Sequence, residues 1–268
     1  MSHSAISLGL GLGGGKSATS SGAPSGGGGG FPNEYSVEFD AVDDYCGVGS
    51  NPGLDVYAQS LWFKPDSTIT YNSGFGLLSG GWGYGGSTYG GIRFSIGVTG
   101  RVLEFNDGFQ YIAAGGITSI NTDWHHLLVN YVASGYETTD GTASNSGKGY
   151  EIWLDGNRVD TALGSTSWNF TLGTTSAKLK LAREGERAAY YFGGLIDEFA
   201  IFGSSLSHSD IGDIYNSGTP TDLTDYSPTM WWRMGDNDGG TGTTITDQGS
   251  GGNNGTLTNG PTFSATVP

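Results

Sequence analysis

Acidic residues are the first groups in this sequence whose type and spacing could hold a ligand. Asp40, Asp43 and Asp44 cluster at the end of one apolar-alternating run, Asp197 lies in LIDEFAIF, and Asp247 stands six and seven residues before Asn253 and Asn254. Carboxylate and amide oxygens are hard ligands and suit Ca2+, which takes six to eight of them and tolerates irregular loops. The same residue types also cap turns through their own backbone, so the composition of these loops leaves both uses open. DNDGGTGTTITD (236–247) imitates an EF-hand loop at positions 1, 3 and 12, yet it lacks the turn glycine at position 6 and an acid at position 5.

Catalytic patterns are scarcer. A retaining glycosidase needs two carboxyls about 5–5.5 Å apart, typically presented on one strand as E-x-D-x-E, and no such triplet occurs. Glu184 and Glu186 have i, i+2 spacing, but Gly185 and the flanking arginines read as a polar turn. There is no nucleophile elbow and no HExxH zinc motif, and Cys46 has no activating partner. No catalytic residue is therefore assigned, and the expectation is a non-enzyme. Aromatic loops are more promising. GGWGYGGSTYGG presents Trp82, Tyr84 and Tyr89, and AAYYF adds Tyr190 and Tyr191; such rings suit sugar platforms and subunit contacts equally.

The elements that must position these groups are strands. In 268 residues there are 50 glycines, 12 % aromatic and only 14 % charged residues, a composition of short strands and tight turns. The fold class expected is all-β. The net charge of −15 argues against nucleic acid and anionic membrane surfaces, which attract Lys and Arg clusters. A single cysteine excludes an internal disulfide, and neither a membrane-spanning run nor a Sec signal is expected.

Alternating runs recur from Tyr35 onward: YSVEFD (35–40), VYAQSLWF (56–63), IRFSIGV (92–98), HHLLVNYVA (125–133), YEIWLDGNRVDTA (150–162), KLKLA (178–182) and LIDEFAIF (195–202). Asp155-Gly156 is a type I′ hairpin signal. One short helix is expected, with Ser207 as N-cap, Asp210 at N3, Leu206 stapled to Ile211, and Gly218 as the stop. Ahead of these, residues 1–15 carry Ile6, Leu8, Leu10 and Leu12 at period two. Burying four such side chains gains roughly 6–12 kcal/mol, against roughly 8–16 kcal/mol for ordering a segment rich in Gly and Ser. The segment is expected to act as an arm that adds to another subunit's sheet edge. Residues 16–32 form a Gly/Ser-rich linker with an r.m.s. span of roughly 20–25 Å.

FDAVDDYCGV (39–48), SLWFKPD (60–66), TDWHHLLVNY (122–131), YEIWLDGNRV (150–159) and GGLIDEFAIFGSSLSHSDIGDIYNSGTP (193–220) together resemble the laminin-G-like domains of the concanavalin A-like lectin/glucanase superfamily. The resemblance covers about residues 35 to 220 and implies a two-sheet antiparallel jelly-roll sandwich over 33–220. The opening strand and loop of that family are missing before Tyr35. Their counterparts, WWRMGD (231–236), TDQGSGGNNGTL (246–257) and NGP (259–261), stand at the other end, so residues 221–268 are expected to complete the jelly-roll as a permuted first strand, in cis or by swapping into a neighbouring subunit.

The resemblance further implies a Ca2+ joining these blocks, with Asp40, Asp43, Asp197, Asp247 and Asn253 as ligands, a structural role for His125 and His126, and sugar binding as the usual function. The order of arm, tether, jelly-roll and SPTMWWRMGDNDGG ending also resembles virion structural proteins of tailed bacteriophages. The expected function is accordingly a non-enzymatic virion protein, a capsid decoration, fibre or spike. Its arm holds it to other virion proteins in a homo-oligomer, and its jelly-roll stabilises the shell or touches a host glycan. A stand-alone carbohydrate-binding or adhesion protein is the alternative, and a glycan hydrolase the remaining reading.

Overall fold

Alternation of apolar and polar residues dictates strands whose apolar sides must find one another, and the chain resolves this with two antiparallel sheets packed face to face. The computed structural model describes residues 31–49, 53–69, 75–80, 93–96, 103–106, 111–139, 148–161, 173–174, 179–183 and 191–268. The arm residues Ile6, Leu8, Leu10 and Leu12, and Trp82, Tyr84, Tyr89 and Tyr190, lie outside the described residues.

In chain order the strands are β1 (Ser36–Asp40), β2 (Tyr45–Gly47), β3 (Asp55–Val56), β4 (Ala58–Pro65), β5 (Phe75–Gly80), β6 (Arg93–Ile96), β7 (Leu103–Asn106), β8 (Tyr111–Ala114), β9 (His125–Val132) and β10 (Gly149–Leu154). They continue with β11 (Asn157–Arg158), β12 (Asp160–Thr161), β13 (Gly173–Thr174), β14 (Leu179–Leu181), β15 (Gly193–Phe202), helix α1 (His208–Tyr215), β16 (Met230–Trp232), β17 (Thr244–Ile245), β18 (Gly255–Thr258) and β19 (Thr262–Ser264). One sheet runs β11-β10-β9-β4-β15-β1-β19, with β16 also paired to β15. The other runs β12-β8-β7-β6-β5-β14-β2-β18-β17.

Between the sheets lie Val37 and Phe39, Leu61 and Phe63, Leu127 and Val129, Phe199 and Ile201, and Trp232, facing Cys46, Leu179, Leu181, Ile245 and Leu257. Alternation along YSVEFD thus does what its pattern requires, sending Val37 and Phe39 inward while Glu38 stays exposed. On the outer face of the first sheet, Ala58, Leu128, Ala200 and Phe202 are covered by Ile211 and Ile214 of α1 together with Leu206, Leu223 and Trp231.

Helix α1 opens with the expected capping box: Ser207 Oγ accepts the Asp210 N–H, and the Asp210 carboxylate accepts the Ser207 N–H. It stops at Asn216, two residues before the glycine expected to end it. Asn216 takes the left-handed conformation (φ 46°) and its N–H closes onto Gly212 O, because a short polar side chain tolerates that region nearly as well as glycine. Asp155 (φ 49°) and Gly156 (φ 71°) make the β10–β11 turn with positive φ at both positions, as a type I′ hairpin needs.

Residues 228–268 belong to both sheets of the same chain. β16 pairs with β15 through Trp232↔Phe199, β18 with β2 through Leu257↔Cys46, and β19 with β1 through Phe263↔Val37.

Candidate functional site

Backbone donors claim most of the acids singled out from the sequence. Asp247 Oδ1 accepts the N–H groups of Trp231 and Gly249, both at 2.8 Å, and its Oδ2 accepts the Asn253 N–H at 2.6 Å. Asn253 in turn offers its carbonyl to the Trp232 indole N–H at 2.9 Å. This pair therefore holds a turn against the two tryptophans.

Asp197 is wholly buried. Its Oδ2 accepts from Asn33 Nδ2 at 3.0 Å and its Oδ1 from the Glu198 N–H at 2.8 Å. Burial, reinforced by the Glu198 charge, holds its carboxyl well above the ordinary range. Asp40 pairs with Gly193, four residues before Asp197 on β15, which separates their backbones by about 13 Å. The structure does not bring Asp40, Asp197 and Asp247 together as one metal site, because register and turn capping have committed the last two elsewhere. It does bring Asp40 and Asp43 together, with Asp44 as their neighbour.

His126 is buried, 2.8 Å from Ser60 Oγ, and burial pushes its imidazole down to about 4. His125 Nδ1 lies 2.8 Å from Asp155 Oδ2. Both histidines brace β9 against its neighbours, and the His126 ring stacks on Tyr215 and lies tilted against Trp62, 4.8 Å between ring centres.

The described surface carries at least two depressions. The larger, of about 640 Å³, runs between β9, β10 and the entry to α1. Its polar groups already serve one another: Asn130 exchanges hydrogen bonds with both backbone groups of Leu206, Glu151 takes Arg158 and His208, and Ser205 donates to Tyr131 O. Groups satisfied in this way make a seam that fastens the helix to the sheet and leave little to offer a ligand.

The smaller depression, of about 250 Å³, lies on the outward face of the second sheet. Cys46, Leu181 and Leu257 point into the core, so their strand neighbours Tyr45, Gly47, Lys180, Thr256 and Thr258 must point out. Lys180 and Thr256 stand opposite Gly47 on either side, and Thr258 stands opposite Tyr45. Gly47 has no side chain to fill the row, so its position becomes the floor of a dent. Lys180 Nζ lies 5.5 Å from the centre of the Tyr45 ring, and the Arg183 guanidinium lies 5.2 Å from the same ring and 5.5 Å from that of Tyr191. The Thr256 and Thr258 hydroxyls make no hydrogen bond among the described residues.

Tyr191 is thus the one expected sugar-contact residue that the structure describes, and it joins this ladder. The other members were missed from the sequence, although the GTLT alternation (255–258), with Leu257 inward, already turns both threonines out.

A laminin G-type family model, described as the concanavalin A-like lectin/glucanases superfamily, matches residues 41–212. No curated protein matches the sequence. Among solved structures, a candidate carbohydrate binding protein from Bacteroides ovatus is similar over 87 % of this chain and 60 % of its own, with 16 % identity and a TM-score of 0.54. This chain therefore spans about three-fifths of that protein's length. The heptameric SAP-like pentraxin from Limulus polyphemus is similar over 68 % of this chain and 82 % of its own, with 8 % identity and a TM-score of 0.43. The Ruminococcus gnavus IT-sialidase CBM40 is similar over 67 % and 96 %, with 14 % identity and a TM-score of 0.40.

Proposed function

The chain belongs to the concanavalin A-like lectin/glucanases superfamily, and on that premise we propose that it is a non-enzymatic, glycan-binding surface protein whose sugar site is the dent over Gly47. The observation that carries this reading is the outward row of Tyr45, Lys180, Thr256 and Thr258 around a residue without a side chain. A tyrosine face packs against the C–H side of a sugar ring, while hydroxyls and an ammonium group take its oxygens. The dent is small beside a typical ligand pocket, which suits one terminal sugar better than a long buried chain. Lys180 and Arg183 place two cations together on a protein of net charge −15, and so favour a sugar bearing an acid group. A protein named as a candidate carbohydrate binder has the same fold, which supports the assignment.

On a glycan array, Tyr45→Ala is expected to weaken the best signal about tenfold or more, the loss of one stacked ring. Its melting midpoint should stay within a few degrees of the parent. Equal binding by parent and variant overturns the site. Loss of binding in Trp82→Ala with Tyr45→Ala unaffected transfers it to the aromatic loop expected from sequence.

The same reading puts the domain on the surface of a tailed-bacteriophage virion, as decoration, fibre or spike in a homo-oligomer. Ile6, Leu8, Leu10 and Leu12, at period two in the sequence, are its anchor in this reading. What supports this is the order of an apolar alternating arm, a Gly/Ser tether and a lectin-like domain in one chain. Deleting residues 1–15 should leave the melting midpoint unchanged and remove the protein from purified particles. Retention on particles at the parental level sinks the anchoring role.

A further inference from the structure

Two Asn-Gly steps, Asn254–Gly255 and Asn259–Gly260, stand at the two ends of β18. An asparagine before glycine can react with its own backbone, because no Cβ shields the glycine amide. The amide nitrogen attacks the asparagine Cγ, a new C–N bond closes a succinimide ring, and the Cγ–Nδ2 bond breaks. Nδ2 leaves as ammonia with the proton that the amide gives up. Water then opens the ring at either carbonyl and leaves aspartate or isoaspartate, so no oxidant or reductant takes part. Folding decides which of the two steps is free to react.

Asn254–Gly255 is locked. Gly255 is buried and pairs with Ile245 on β17. Its N–H turns towards that strand, as does the Leu257 N–H two residues on, which donates to Thr243 O at 2.8 Å. A Cβ at Gly255 would stand 2.7 Å from Cys46 Sγ, so the backbone has no room to turn. The Asn254 carboxamide is held as well, its Oδ1 accepting the Asp247 N–H at 2.9 Å. Bringing the amide to Cγ here means unzipping β18 from both β17 and β2.

Asn259–Gly260 lies in the turn between β18 and β19, and both residues are exposed. The Gly260 N–H makes no hydrogen bond among the described residues. Beyond its chain neighbours, a Cβ at Gly260 would meet only Asp44 Oδ1, at 3.7 Å, so the turn has space to rearrange. What restrains Asn259 is one exposed bond, donated by its Nδ2 to Asp43 O at 2.8 Å. A single bond of this kind slows the attack by at most about tenfold.

That bond is also what the reaction destroys. It joins the β18–β19 turn to the β1–β2 corner, where one carboxylate oxygen from each of Asp40, Asp43 and Asp44 lies within 4.8 Å of the other two. After deamidation an oxyanion stands in place of the Nδ2 donor, facing the Asp43 carbonyl and adding a carboxylate to a corner already crowded with them. Isoaspartate also lengthens the turn by one backbone carbon. β19 is a short strand at the edge of its sheet, and Thr258, opposite Tyr45 in the dent, directly precedes Asn259.

We propose that Asn259 is a site of spontaneous deamidation, a slow self-modification that unfastens the β18–β19 turn from the β1–β2 corner and loosens one end of the row lining the dent. Asn254 is spared by its ladder.

The test ages the full chain in mildly alkaline buffer, which favours loss of the amide proton, beside a urea-unfolded sample. Both are digested and mapped by mass spectrometry without glycan, so the outcome is separate from that of the sugar assignment. The unfolded chain should convert at both asparagines. In the folded chain Asn259 is expected to convert within about tenfold of its unfolded rate, and Asn254 at least about a hundredfold more slowly than Asn259. The aged folded protein should melt about 2–4 °C below the fresh one, through the loss of one hydrogen bond and the added like charge. Asn259→Asp should show that lower midpoint without ageing, and Asn259→Gln, whose longer side chain cannot close the same ring, should stay unconverted at this position. An Asn259 that stays intact in the folded chain while the unfolded chain converts overturns the site, and so does equal conversion of both asparagines in the folded chain. A parental midpoint in both the aged protein and Asn259→Asp overturns the unfastening.

Discussion

A chain ending at Pro220 is expected to lose the cooperative unfolding transition altogether. The cut removes β16, β17, β18 and β19, and with them Met230, Trp232, Met234, Ile245 and Leu257 from the main core and Trp231 from the outer one. Full burial of one large apolar side chain contributes about 1.5–3 kcal/mol, so these six together match or exceed the ~5–15 kcal/mol by which a domain is stable. The cut also strips partners from β1, β2 and one side of β15, exposing unpaired backbone that would have to be hydrated or aggregate. Trp232 is the centre of the effect. It is fully buried, its ring centre lies 5.5 Å from that of Phe199, and its indole N–H is satisfied by Asn253 O. Gly255 is required beside it, because a Cβ there would stand 2.7 Å from Cys46 Sγ and 3.1 Å from the indole. Trp232→Ala alone should cost about 3–5 kcal/mol. Calorimetry is the direct measurement. A shortened chain that melts cooperatively at the parental midpoint removes the C-terminal segment from the fold, whereas restoration of the transition by a separate 221–268 peptide would locate its contribution in these pairings.

The family resemblance made the place of the C-terminal segment legible and local pattern marked the elements, whereas the grouping of side chains depends on tertiary geometry. Period-two alternation shows which side of YSVEFD faces inward, and Ser207 with Asp210 announces the start of α1, because both depend only on near neighbours. The end of α1 was misread for a local reason, since glycine is the commoner left-handed residue but Asn216 arrives first. The acids could not be sorted in the same way. Alternation would send Asp197 and Glu198 to opposite faces, but every residue of β15 is buried because both faces of the strand are covered, so the pattern cannot sort them. Some caps also reach far along the chain, as Asp247 does to the Trp231 N–H 16 residues away. The dent over Gly47 joins β2, β14 and β18, three segments that are distant in sequence, and the aromatic ring among its described lining residues, Tyr45, sits in DDYC.

Arg233→Ala is expected to destabilise strongly, and more at pH 8 than at pH 5. Arg233 Nε is 3.1 Å from Glu198 Oε1 and its Nη2 is 2.8 Å from Asp236 Oδ2, with all three side chains at most 10 % exposed. The same guanidinium donates to Pro32 O and lies 4.1 Å from the centre of the Phe31 ring, while Asp236 Oδ1 accepts the N–H groups of Glu34 and Tyr35. One cation therefore neutralises two buried acids and docks the segment that leads into β1. Burial pushes the Glu198 carboxyl up to about 7 even with Arg233 opposing it, and burial also raises Asp236 and Asp197. A carboxyl raised in the folded state holds a proton that the unfolded chain has released, so these groups make stability fall as pH rises from about 4.5 through 7. The parent midpoint should follow that slope. Without Arg233 the opposing charge is gone, the acids rise further, and the slope steepens and extends to higher pH. Breaking a buried pair by deleting one partner costs about 3–5 kcal/mol, a figure expected at pH 8 and diminished at pH 5, where protons replace the guanidinium. Adding Glu198→Gln to the variant should restore part of the loss at pH 8 and little at pH 5. If Arg233→Ala loses the same stability at both pH values, the contribution is packing against Phe31 and Trp231 rather than charge, and the double variant would then show no rescue.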